Sequence, residues 1–155
     1  MANHCENVLR VCGSHSDLIR FDSKFRADKE NKEENYHFDN LYPTPRLPIC
    51  ETAEWRKTHW GVKGNFYENS FYRDMIWYDD MEAYYYFDTP NVGPELLIQH
   101  ISEDFPDLEF MLVYNEDGNG IGGINVYKNG GIMSEELNSE DKTYWFGKSE
   151  NPEVV

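Results

Sequence analysis

The chain has 155 residues, of which 39% are hydrophobic and 15% aromatic, and a formal net charge of −15. That size and apolar content fit one domain with a real core and room for a tail, and they exclude an acidic disordered chain. The charge argues against direct binding to a phosphate backbone, which needs clustered Lys and Arg, and no apolar run approaches the ~18–20 residues that span a bilayer.

In chain order, Asn7-Val8-Leu9-Arg10-Val11-Cys12-Gly13 reads as a short strand stopped by glycine. Ser14 or Ser16 suits the cap of a helix over about 16–27. Leu18, Phe21 and Phe25 share one face of it, while Arg20, Asp22, Lys24 and Arg26 are expected to face water. The run 28–35 is charged and lacks apolar residues, as a solvated helix end or loop would. Three prolines within 40–48 make that stretch irregular and extended. Trp55 and the segment 58–65 that follows read as turn-rich.

Two strands are expected over 75–78 and 82–88, separated by Asp79-Asp80. In the second, Ala83, Tyr85 and Phe87 alternate with Glu82, Tyr84, Tyr86 and Asp88, which gives one buried and one wet face. Pro94 suits the first turn of a helix over 94–104, with Leu97 and Ile101 four apart. The most apolar strand is 108–115, expected near the sheet centre. A Gly-rich turn at 116–120 leads to an antiparallel strand over 122–128. Beyond residue 131 the chain becomes a polar, acidic tail with one aromatic cluster, Tyr144-Trp145-Phe146, expected to dock against the domain.

The sum is an α+β sandwich: an antiparallel sheet of four to five strands with two helices on one face, forming a single domain over 1–131 with an acidic extension over 132–155. Its core is expected to gather Leu9, Val11, Leu18, Phe21, Phe25, Leu97, Ile101, Phe110, Leu112 and Tyr114.

Several stretches together resemble a known family. They are the opening residues 1–13, the proline segment Asn40-Leu41-Tyr42-Pro43-Thr44-Pro45, Trp55 followed by His59-Trp60-Gly61-Val62-Lys63, and the helix–hairpin over 93–131 with Phe105-Pro106-Asp107-Leu108. Their order and spacing are similar to those of the YubB-type ferredoxin-like proteins of phages and plasmids. The resemblance covers roughly 1–131. It departs at Val62, at Gly64 and at the Thr89-Pro90-Asn91-Val92 turn. It implies a ferredoxin-like fold without an iron–sulfur cluster and a mobile-element origin, and it implies no activity.

Chemistry-bearing motifs are scarce. The chain has no nucleophile elbow, HExxH, Walker loop or GxGxxG, so no catalytic residue is expected. Cys5, Cys12 and the nearby His4 and His15 do not make a metal site, because a strand would hold the two thiols ~20–24 Å apart. Three cysteines form no disulfide framework, and no signal peptide is visible, so the expected setting is the reducing cytoplasm. The glycines at 118–123 follow a strand and lead into another, as a hairpin does and a phosphate loop does not.

Charge is the strongest signal. All the excess acid lies in residues 74–155, with 18 Asp/Glu against three bases, Lys128, Lys142 and Lys148. Between Asp74 and Tyr127 there are 12 acids, 10 aromatics and no Lys or Arg. Such a stretch lacks local counter-ions and steers basic partners. Carboxylates on one face of a strand sit about 6.5–7 Å apart, a pitch similar to that of successive DNA phosphates. The first expectation is therefore an acidic, nucleic-acid-mimicking accessory protein that binds a host nucleic-acid-handling protein, such as a restriction or CRISPR component. The candidate partner-binding acids are Asp74, Asp79, Asp80, Glu82, Asp88, Asp104, Asp107, Glu116 and Asp117. A second reading is an interaction module without mimicry that uses exposed Tyr and Trp. A third sequesters a nucleotide signal at His59, Trp60, Lys63 and Arg73. A merely soluble acidic surface is the bland alternative.

Overall fold

The computed structural model describes residues 3–27, 35–76 and 81–147. Among these residues six strands, where four to five were expected, form one antiparallel sheet: β1 (His4–Cys12), β2 (Tyr72–Ile76), β3 (Glu82–Pro90), β4 (Glu109–Glu116), β5 (Ile121–Lys128) and β6 (Gly131–Glu136), in the order β2-β3-β1-β4-β5-β6. Four α-helices among the described residues accompany them: α1 (His15–Arg26), α2 (Ile49–Trp60), α3 (Glu95–Asp104) and α4 (Ser139–Phe146). The central β1-α1-β2-β3-α3-β4 order is the ferredoxin-like arrangement, to which β5 and β6 add on the β4 side.

Register sorts the side chains between two faces. Leu9 lies opposite both Tyr85 and Leu112, and Val11 lies opposite Ala83 and Phe110. These residues, with Phe87 and Tyr127, meet Leu18, Phe21 and Phe25 of α1, Leu97, Ile98 and Ile101 of α3, and Trp60 of α2 in one core. Three helices therefore share this face, where two were expected. Of the ten expected core residues, Tyr114 alone is partly exposed; it packs against the cluster from outside.

Three further expectations are corrected. Residues 58–60 are not a turn but the last turn of α2, whose apolar residues form no stripe: Ile49 is 94% exposed and Trp60 is fully buried. Gly61 ends that helix at φ +83°, where a side chain would be strained, and a Cβ there would lie 3.3 Å from the Leu96 N at the start of α3. The Trp60-Gly61 pair is thus a plug and a stop. The segment 132–147, read as a tail, holds β6 and α4. Finally, Asp22 does not face water. It is 3% exposed and accepts hydrogen bonds from Tyr36 Oη (2.8 Å), Tyr85 Oη (2.7 Å), Arg26 Nη1 (3.0 Å) and Arg73 Nη1 (3.0 Å). Two guanidinium groups and two hydroxyls satisfy the buried carboxylate, which ties α1 to β2, β3 and the loop before α2.

Candidate functional site

The second face of the sheet carries the other parity: Glu6, Val8, Arg10 and Cys12 on β1, Asp74 on β2, Glu82, Tyr84, Tyr86 and Asp88 on β3, Glu109 and Met111 on β4, and Lys128 on β5. α1, α2 and α3 leave this face open. The C-terminal segment crosses it instead. Leu137 passes over Gly122, where a Cβ would lie 3.2 Å from its methyl, so a side chain at Gly122 would obstruct the crossing. At the far end, Trp145 and Phe146 border a recess of about 230 Å³ with Val8, Tyr86 and Asp88. Tyr144 and Trp145 border another of about 250 Å³ with Asp74, Ile76 and Tyr84. The expected docking of the 144–146 cluster thus has a place: the β2-β3-β1 end of the open face.

Away from α4, Arg10, Cys12, Glu82, Asp107, Glu109 and Lys128 line a shallow recess of about 400 Å³. Arg10 pairs with Glu82, whose second oxygen accepts from Tyr84 Oη at 2.8 Å. Burial works to raise the Glu82 carboxyl, but these hydrogen bonds outweigh it and hold the group below its ordinary value of 4.5. Burial and the adjacent Glu82 push the Tyr84 phenol up to about 12. Burial likewise raises the Cys12 thiol despite nearby Arg10, so no thiolate nucleophile is prepared here. Cys5 lies on the opposite face of β1, fully buried beside Thr89, Asn115 and Glu116, and its thiol is raised to about 12, chiefly by burial. Among the described residues, no three His, Cys, Asp or Glu side chains are grouped to hold a metal ion.

The candidate acids divide. Asp74, Glu82 and Asp88 share the open face, and Asp107 borders its recess. Asp88 lies 3.5 Å from the His4 ring, which stacks on Tyr67. Asp104 ends α3 beside Lys24 and His100, on the helix side of the molecule. Glu116 is 1% exposed, and its carboxylate accepts from the Gly118 and Asn119 N–H groups, closing the β4–β5 turn. Asp117, in that turn, accepts from Asn115. Asp79 and Asp80 lie outside the described residues.

The alternative set is not one pocket. Trp60 Nε1 donates to the Tyr42 carbonyl inside the core, and His59 stacks on Trp55 at 4.1 Å. Lys63 is exposed in the turn after α2, while Arg73 is bound to Asp22. Sequence reasoning missed Glu6, Arg10, Glu109 and Lys128 as face residues. Their signal was strand parity, masked in β1 because apolar residues occupy both of its faces.

Residues 67–153 match the family model described as the ferredoxin-like domain in Api92-like protein. That match includes α4 and the segment the resemblance to YubB-type proteins left out. A crystal structure of the protein api92 from Yersinia pseudotuberculosis superposes with a TM-score of 0.60 at 11% identity, covering 89% of this chain and 99% of that one. At that identity the likeness speaks for the fold. No curated protein matches the sequence. No helix among the described residues is long and apolar enough to cross a membrane.

Proposed function

The chain belongs to the family of Api92-like proteins with a ferredoxin-like domain, and from that premise we propose that it is a binding protein of phage or plasmid origin whose open sheet face engages a basic, nucleic-acid-handling host protein. The observation that carries this reading is the composition of the face. Glu6, Asp74, Glu82, Asp88 and Glu109 surround Tyr84 and Tyr86; of the two bases described on this face, Arg10 is already paired with Glu82 and Lys128 stands on β5 beside the recess that Glu82 and Glu109 line. A net negative face with tyrosines suits a partner built to accept phosphates and bases, through charge for encounter and aromatic area for adhesion. Occupying a partner's nucleic-acid groove would inhibit it, as a restriction or CRISPR component would be inhibited by a mimic.

A second reading has its own support. Glu116 and Asp104 do not join the open face, and tyrosines interrupt the acids along β3, so the charge is a patch instead of a regular phosphate track. That favours a general interaction module for a basic protein. Capture of a partner from host lysate at low salt, followed by competition with duplex DNA, separates the two. Release by DNA and by about 0.5 M salt supports mimicry, since attraction is screened within ~3–10 Å under those conditions. Salt release without DNA competition supports the module. Capture that survives the Asp74→Lys, Asp88→Lys double variant removes both.

A further inference from the structure

We infer that the recess between α4 and strands β2 and β3 is a binding site for a methylated ammonium group, carried by a modified lysine of another protein or by a free quaternary ammonium compound. The inference goes beyond the reading above and stands whether or not the open face also takes a nucleic-acid-handling protein.

Strand register builds one wall of the recess. Asp74 of β2 lies opposite Tyr84 of β3, and Tyr72 lies opposite Tyr86, so these side chains emerge together on the open face. The Tyr84 and Tyr86 rings are nearly parallel, with centroids 6.3 Å apart. α4 builds the other wall. Tyr144 and Trp145 meet at 87° with centroids 4.9 Å apart, so they present a corner instead of one plane. With Asp74 and Ile76 these four rings line about 250 Å³. That is below the ~300–1,000 Å³ of a drug-sized pocket, and it suits the head of one side chain or a small ion.

The chemistry of the lining selects the ligand. The faces of aromatic rings attract a cation held within about 6 Å of the ring centroid. Asp74 is exposed and pairs with no base among the described residues. No Lys or Arg among the described residues lines the recess; Lys142, one turn earlier on α4, has a partner of its own and does not border it. The phenols stay neutral, since burial and the nearby Asp74 raise Tyr86, and burial and Glu82 push Tyr84 up to about 12. An unmodified lysine head brings three N–H donors, and the recess offers one carboxylate to receive them. A trimethylammonium head brings no donor and meets the rings through its methyl groups, so the same lining suits it better. The helix wall also has room to respond. α4 is loosely seated: it buries none of its residues fully, and its shape is set by its own capping box at Asn138 and Asp141 and by Gly147. A cation between the walls supplies contacts that hold α4 to the sheet.

The test titrates the full chain with choline and with its uncharged tert-butyl isostere, dimethylbutanol, following the Trp145 indole N–H by NMR. The two probes share a shape and differ in charge, so choline should bind about tenfold more tightly. Trp145→Leu keeps apolar area but removes the ring, and it should weaken choline about tenfold, while Trp145→Phe keeps most of the binding. Asp74→Asn, at an exposed position that leaves the fold intact, should weaken choline about fivefold at low salt. Hydrogen exchange gives an independent reading: the α4 amides should gain protection as choline is added. A peptide bearing trimethyl-lysine identifies the source. Tighter binding of that peptide than of choline assigns the site to a modified protein, and the reverse order assigns it to a free compound. No binding of either, dimethylbutanol binding as tightly as choline, or an unmodified-lysine peptide binding as well as the trimethylated one would each overturn the inference. So would choline binding that is indifferent to both Trp145→Leu and Asp74→Asn, or that leaves α4 protection unchanged.

Discussion

The two faces of one sheet are built to opposite standards. On the helix side, Leu9, Val11, Tyr85, Phe110 and Leu112 are at most 1% exposed and lie under three helices, with aromatic rings meeting edge to face around Phe21. Even the buried carboxylate there, Asp22, has every neighbour it needs. On the open side, acids and tyrosines share the surface, and the one helix over it leaves voids. The difference teaches where stability and binding reside. The same strands serve both, because period-2 alternation lets each residue belong wholly to one face.

The comparison breaks most easily at its stable side. Phe110→Ala should cost about 3–5 kcal/mol, read by urea unfolding, since it deletes a fully buried ring at the meeting of α1 and the sheet. A loss under about 1 kcal/mol would mean the core lies elsewhere. Asp22→Asn should cost about 2–3 kcal/mol, because charge-assisted bonds from Arg26 and Arg73 are lost while both remain partly buried. On the other face, Trp145→Ala should cost no more than about 1 kcal/mol, as the loose seat implies. A cost equal to that of Phe110→Ala would make the open side a second core.

Acid sharpens the contrast further. The Glu82 carboxyl is held below its ordinary value of 4.5 in the folded chain. The stabilisation it contributes is therefore fully present above about pH 4.5 and is lost as pH falls through the lower folded value. Glu82→Gln should flatten the acid limb of stability without moving the neutral plateau in shape. Urea midpoints measured between about pH 6 and 3 check this, and an unchanged acid slope would show that Arg10 and Tyr84 do not hold the carboxylate.

Much of the stable side was legible in the sequence and little of the other. α1, α3, β3, β4 and β5 carry clear apolar stripes or alternation, and those stripes are what the core consumes. α2 escaped because Trp60 alone of its residues is fully buried, so no periodicity marks it. α4 and β6 escaped for a like reason, since neither fully buries a residue and neither carries an apolar stripe; the Asn138-x-x-Asp141 cap and Gly147 are the only local signal of α4. Asp22 was misplaced because a charged residue beside a water-facing arginine looks solvated until Tyr36, Arg73 and Tyr85 arrive from distant positions. The candidate acids follow a run along the sequence. A run ignores parity, which is why Glu116 proved to be a turn cap and Glu6 was passed over.

The most direct test of the division between faces is one double variant measured two ways. Asp74→Lys, Asp88→Lys changes only open-face acids, so the unfolding free energy should stay within about 0.5 kcal/mol of the parent, while capture of the basic partner at low salt is lost. A variant that unfolds readily, or one that captures the partner as well as the parent does, would contradict the assignment of stability to one face and binding to the other.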